Sequence, residues 1–216
     1  MLDVYRFMNH FFEQGRIYLS EIDFQLSLAW KIKEMYDDID LRLEQPMIME
    51  ENGTKRNNYI DIALRQDGAM VPIELKYTTK KLEFEEEGQT IVLKNHGAQD
   101  VRRYDFVKDI ERVERVLREN ERVAEGYCIF LTNDASYLKS PGSFRGKPVV
   151  DNQFRIHEGA ILKGTLKWED WTSSGTKRGR EKELSLQGEY HIKWNKIENG
   201  KLDGFFYSIV EITNQP

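Results

Sequence analysis

The chain has 216 residues, 39% hydrophobic and 32% charged, with a net charge of -5. This length and apolar content suit one medium domain with a sizeable core, and 12% aromatic residues argue against disorder. The acidic balance counts against a protein that coats nucleic acid non-specifically, and no apolar run is long enough to span a bilayer.

The N-terminus lacks a basic segment followed by an apolar one, so no secretory signal is expected. Cys128 is the single cysteine, which excludes an internal disulfide and fits a reducing cytoplasm. It lies in the apolar run Tyr127-Cys128-Ile129-Phe130-Leu131 and reads as a buried small hydrophobe.

Residues 3–14 predict a short helix with Val4, Phe7, Met8, Phe11 and Phe12 on one side. Ser20 is a plausible N-cap, with Asp23 three residues on. The second helix then carries Phe24, Leu28, Ile32, Met35 and Tyr36 at helical spacing to about residue 37. Residues 40–50 predict a strand blurred by Pro46, and Glu51-Asn52-Gly53 is a turn signal. Tyr59–Leu64 and Met70–Tyr77 predict two strands joined at Asp67-Gly68 as an antiparallel hairpin. Residues 82–94 form a candidate second hairpin with a turn near Gly88. A long helix is predicted over roughly 98–122, with Val101, Tyr104, Val107, Ile110, Val113 and Leu117 as its apolar stripe, followed by a strand at 127–132.

From about residue 141 the chain changes character. Short β-like runs at 160–168, 183–194 and 205–212 surround a basic loop, 173–180, expected to be exposed. Residues 141–216 read as a β-rich extension packed on the core, so that 1–216 form a single domain.

The chemistry concentrates on the first hairpin. Alternation puts Ile60, Ile62 and Leu64 on one face of the first strand and Asp61 on the other. In the second strand Val71, Ile73, Leu75 and Tyr77 share one face, while Glu74 and Lys76 share the opposite one. If the apolar faces enter the core together, Asp61, Glu74 and Lys76 project side by side. Opposed carboxylates destabilise a sheet pair and invite a cation. Carboxylates with a backbone carbonyl suit Mg2+. Lys76 would then orient the attacking water, help deprotonate it if its pKa is lowered, or stabilise charge on a phosphate.

Asp61, followed by Glu74-Leu75-Lys76 on the next strand, resembles the signature of the PD-(D/E)XK nuclease superfamily, and residues 20–133 are similar to its αβββαβ core. The resemblance implies an α/β (α+β) fold, with a central mixed sheet flanked by helices. It implies a metal-dependent nuclease that hydrolyses phosphodiester bonds, of DNA above all, with Mg2+ as cofactor and Mn2+ as substitute. Asp61, Glu74 and the Leu75 carbonyl would hold the metal. Glu21 on the first core helix would be the additional acid, with Glu13 as a fallback, and Lys76 would serve the nucleophile. Ile60 stands where many members have proline. Some members carry polar residues and a tyrosine on the helix after the lysine strand, and Gln99, Asp100 and Tyr104 are similar; Tyr104 equally fits the core.

Arg102 and Arg103, with Lys80, Lys94 and His96 nearby, are candidates to line a phosphate path. Asp105, Asp109, Glu111 and Glu114 interleave with Lys108, Arg112 and Arg115 as a solvated helix face would. A homodimer would suit a cutter of duplex DNA, because two-fold symmetry sets one site on each strand. The rival reading is a non-catalytic protein of the same fold that binds nucleic acid or a protein partner.

Overall fold

The computed structural model describes residues 2–51 and 53–213. The predicted turn Glu51-Asn52-Gly53 includes Asn52, which lies outside the described residues. The elements in chain order are α1 (Val4–Phe12), α2 (Glu21–Met35), β1 (Asp40–Glu51), β2 (Thr54–Gln66), β3 (Ala69–Thr78), β4 (Leu82–Glu86), β5 (Gln89–Leu93) and α3 (Gln99–Glu119). They continue with β6 (Glu125–Thr132), β7 (Ser143–Phe144), β8 (Lys147–Pro148), β9 (Ile161–Leu166), β10 (Leu184–His191), β11 (Trp194–Lys196) and β12 (Phe206–Thr213). The fold is α+β, built on a six-stranded mixed sheet of order β1-β2-β3-β6-β12-β11. Among its pairs only β3 and β6 run parallel, and α3 lies in the crossover that such a pair requires.

Local chemistry explains the boundaries. The Ser20 hydroxyl accepts from the Asp23 amide at 3.1 Å and caps α2. Asp67 and Gly68 both take positive φ, 52° and 82°, and close the two-residue turn between Gln66 and Ala69. Glu87 and Gly88 do the same between β4 and β5.

The sheet divides two cores. On one face Phe7, Phe11 and Phe12 of α1 and Phe24, Leu28 and Ile32 of α2 meet Ile62, Leu64, Ile73, Leu75 and Tyr77. On the other, Val107, Ile110, Val113 and Leu117 of α3 meet Ala63, Cys128 and Phe130, joined by Leu162, Leu166, Leu184 and Leu186 of β9 and β10. Cys128 is fully buried. Helix α3 thus lies between the main sheet and the β9–β10 pair. Among the described residues, no helix is long and apolar enough to cross a membrane.

Two expectations fail here. The charged side of α3 is only partly solvated, with Lys108 and Arg118 exposed. Asp109 and Glu114 are buried, and Glu114 accepts from the amides of Gln187 and Gly188 and from the Tyr190 hydroxyl. Asp105 takes a two-pronged bond from Arg180, and Glu111 accepts from the Ser185 amide. Asp105, Glu111 and Glu114 therefore fasten the C-terminal segment, and Arg180 and the Trp168 indole, which donates to the Arg180 carbonyl, anchor the end of the basic loop.

Strict alternation also fails at one position of β2. Ile60 packs in the α3-side core with Ala63, whereas Ile62 and Leu64 face the opposite core. The cause lies opposite, where Glu44 of β1 has φ 47°. A non-glycine residue in that region carries strain and re-aims the chain around it.

Candidate active site

The interrupted ladder puts the candidate acid in place. The β2–β3 register runs from Gln66↔Ala69 to Ile62↔Ile73. At the next position the Asp61 carboxylate, rather than a backbone carbonyl, accepts the Leu75 amide at 2.6 Å. The Asp61 carbonyl is taken by the side-chain amide of buried Gln25 at 2.7 Å, and the same nitrogen donates to Glu44 Oε1 at 2.9 Å. One helix glutamine thus fixes both members of the distorted pair.

Two residues along β3, the Glu21 carboxylate accepts the Tyr77 amide at 2.7 Å. Glu21 is the first residue of α2, so the helix start aims it at the strand. Lys76 lies between these acids. Its Nζ is 4.0 Å from Glu21 and 3.4 Å from Asp109 of α3. Glu74 is 2% exposed, and Arg112 donates to it at 2.6 Å while its other nitrogen lies 3.3 Å from Asp109.

Asp61, Glu74 and Lys76 are brought together, as their spacing suggests, and Glu21, which only the resemblance implied, lies beside Lys76. Asp109 and Arg112 join them, and sequence reasoning missed both. Their signal was the fourfold-repeated acid–base pattern of α3, which looks the same whether a helix faces water or a second layer. Glu13 is elsewhere, paired with His10 on the surface of α1.

Four carboxylates face two cations in this cluster. Burial pushes the Asp61 carboxyl up to about 6; the Leu75 amide and Lys76 pull it back, while Asp109 and Glu21 push it further. Burial also drives Glu74 well above the usual carboxylate range; Asp109 adds to this and Arg112 opposes it. Burial alone would lower Lys76, but Asp109, Glu21 and Asp61 outweigh it and hold the ammonium above its ordinary value. Lys76 is thus a fixed positive charge, not a base with a depressed pKa.

The donor set is made of hard oxygens and carries excess negative charge, which is what a small divalent cation requires. Asp61, Glu74 and the Leu75 carbonyl could hold it, with Glu21 close by. The carboxylates are now each engaged by a protein donor, and among the described residues no three His, Cys, Asp or Glu side chains are already gathered to hold a metal.

Of the residues expected along a phosphate path, Lys80 and Lys94 are exposed, Arg102 is half-buried and Arg103 is enclosed. Arg103 is 4% exposed, ion-paired to buried Asp151 at 2.8 Å and seated over the Tyr137 ring. A guanidinium so enclosed is spent on the core, although it borders a groove that Lys80 and Arg155 also line. Lys80 pairs with Asp134 at the end of β6, and Lys94 is exposed beside Thr79, which donates to its carbonyl. Arg102 is half-buried in the first turn of α3. On the same turn, Gln99 donates to Asp134 and Asp100 caps the Val101 amide. Tyr104 is buried, stacked on Trp168, and donates to the Lys182 carbonyl, so it serves the core. Trp194 is likewise internal, with its indole on the Ile156 carbonyl.

No family model matches the chain, and neither a curated protein nor a solved structure shows significant similarity to it.

Proposed function

We propose that this protein is a metal-dependent nuclease of the PD-(D/E)XK type that hydrolyses phosphodiester bonds of DNA in the cytoplasm. One observation carries the reading: Asp61, Glu74 and Lys76, with Glu21 from α2, meet around the Leu75–Tyr77 backbone. The element order α2-β1-β2-β3-α3-β6, with β3 and β6 parallel, supports it.

In this reading Asp61, Glu74 and the Leu75 carbonyl would hold Mg2+, with Glu21 assisting. Such an ion, when bound, would lower the pKa of a water and offset charge on the phosphate. Lys76 stays protonated and presents its ammonium to the anionic phosphate oxygens, steadied by Asp109. Gln25 keeps Asp61 aimed through the backbone.

Incubation of the protein with varied DNA substrates and Mg2+ or Mn2+ tests this. Cleavage should fall at least a hundredfold in Asp61→Ala and in Lys76→Ala. No cleavage of any substrate, or equal cleavage by wild type and both variants, would overturn it.

The Arg112–Glu74 ion pair favours a second reading, a non-catalytic protein of the same fold that binds nucleic acid. There the guanidinium replaces the metal permanently. Calorimetric titration with Mn2+ separates the two, because such a site takes up no ion.

A further inference from the structure

The β1–β2 register continues to Glu51↔Thr54, far past the point where β3 leaves β2 at Ile62. The distal half of that pair therefore projects as a two-stranded arm. Between this arm, the C-terminal half of α3 and the segment Gly179–Lys182 lies a groove of about 730 Å3. Six basic side chains line it: Arg56 of the arm, Lys108, Arg112, Arg115 and Arg118 of α3, and Lys182. The acids on its wall are Glu111 and Glu119. Lys182 reaches Glu111, Arg115 reaches Glu119 and Arg112 is held by Glu74 and Asp109, while Lys108 and Arg118 stand exposed on the α3 wall of the groove.

Lys108, Arg112, Arg115 and Arg118 follow a spacing of four, three and three, so they share one helix face. At 1.5 Å per residue they cover about 15 Å, the length of about four phosphates along one strand of a B-form duplex. Arg112 belongs both to this row and to the site, through Glu74. Asn57 and Asn58 on the opposite wall add hydrogen-bonding groups suited to phosphate and sugar.

We infer that this groove binds the phosphate backbone of a nucleic-acid strand and leads it to the carboxylate–lysine cluster. The groove itself calls for a regularly spaced polyanion. That the polyanion is a nucleic acid rests on the reading of the cluster as a phosphodiesterase centre.

Fluorescence anisotropy in EDTA measures binding without cleavage. Lys108 and Arg118 are exposed, so Lys108→Glu/Arg118→Glu leaves the core intact, and a matching thermal melt checks it. Labelled single-stranded and duplex oligonucleotides are titrated at several salt concentrations. Affinity should fall at least tenfold in the double variant and stay unchanged in Lys163→Glu, on exposed β9. The salt slope should shrink by roughly 2 if duplex is the occupant and by roughly 1.4 if a single strand is. An unchanged slope, an equal loss in Lys163→Glu, or tighter binding of polyglutamate than of DNA at equal charge would overturn the inference. Asp61→Ala separates this from the nuclease reading. Binding without cleavage by wild type sinks only the enzyme, whereas cleavage undiminished in the double variant sinks only the groove.

Discussion

Arg112 of α3 donates to the carboxylate of Glu74 on β3 at 2.6 Å, and Glu74 is all but withdrawn from solvent. The pair ties the helix to the strand that carries the candidate chemistry. Removing the arginine leaves buried Glu74 without its donor, which costs about 1–3 kcal/mol. Arg112→Met, which keeps much of the stem, should lower the urea midpoint accordingly in EDTA. If Glu74 is a metal ligand, saturating Mg2+ restores most of the loss. A deficit unchanged by metal argues that Glu74 is purely structural.

The metal-free protein should lose stability as pH rises from 4 to 7. Asp61 folds with a carboxyl pushed up to about 6 from an ordinary 3.8. An acid raised on folding favours the native state below its unfolded value and loses that contribution as pH climbs past the folded one. The shift corresponds to roughly 3 kcal/mol, and Glu74 moves in the same direction. Thermal melts in EDTA across this range should show the fall, and Asp61→Asn should flatten it. A wild-type melting temperature that rises over the same interval contradicts the assignment.

Gln25 should matter beyond its size. Its side-chain amide satisfies the Asp61 carbonyl and Glu44 together. Gln25→Leu leaves a buried carbonyl without its donor, at about 1–3 kcal/mol. Because Asp61 is then less firmly aimed, Mn2+ affinity measured by calorimetry should drop at least threefold. Lost stability with unchanged affinity would limit Gln25 to a packing role.

The segment after residue 140 is not a removable appendage. Strand β12 pairs with β6 over its whole length, from Phe206↔Thr132 to Thr213↔Glu125. Residues of β9, β10 and Trp194 complete the core over α3. A chain shortened after residue 140 should bind a hydrophobic dye and melt without a cooperative transition. A sharp melt with intact Mn2+ binding would show that the first half stands alone.

The sequence exposed what is periodic and what is local. The helices, the hairpin turn at Asp67-Gly68 and the joint position of Asp61, Glu74 and Lys76 follow from spacing, capping and alternation. Layering is not local. Arg103, Asp109 and Arg112 occupy the same charged helix, but Arg103 meets Asp151 while Asp109 and Arg112 meet Lys76 and Glu74 of β3, so tertiary packing alone sets them apart. The twist at Glu44 was hidden for another reason. A glutamate with positive φ carries no compositional mark, unlike a glycine, so the departure of Ile60 from its expected face could not be read from the strand pattern.

The placement of β12 also governs how the molecule can assemble. β3 and β6 must find each other across the β4–β5 hairpin and α3, and β6 then stays an open edge until β12, far along the chain, docks beside it. Such distant pairings make folding slow and leave a sticky edge exposed meanwhile. On the ribosome, β6 would therefore emerge long before its second neighbour exists. The sheet would stay open on that side until β12 has been made.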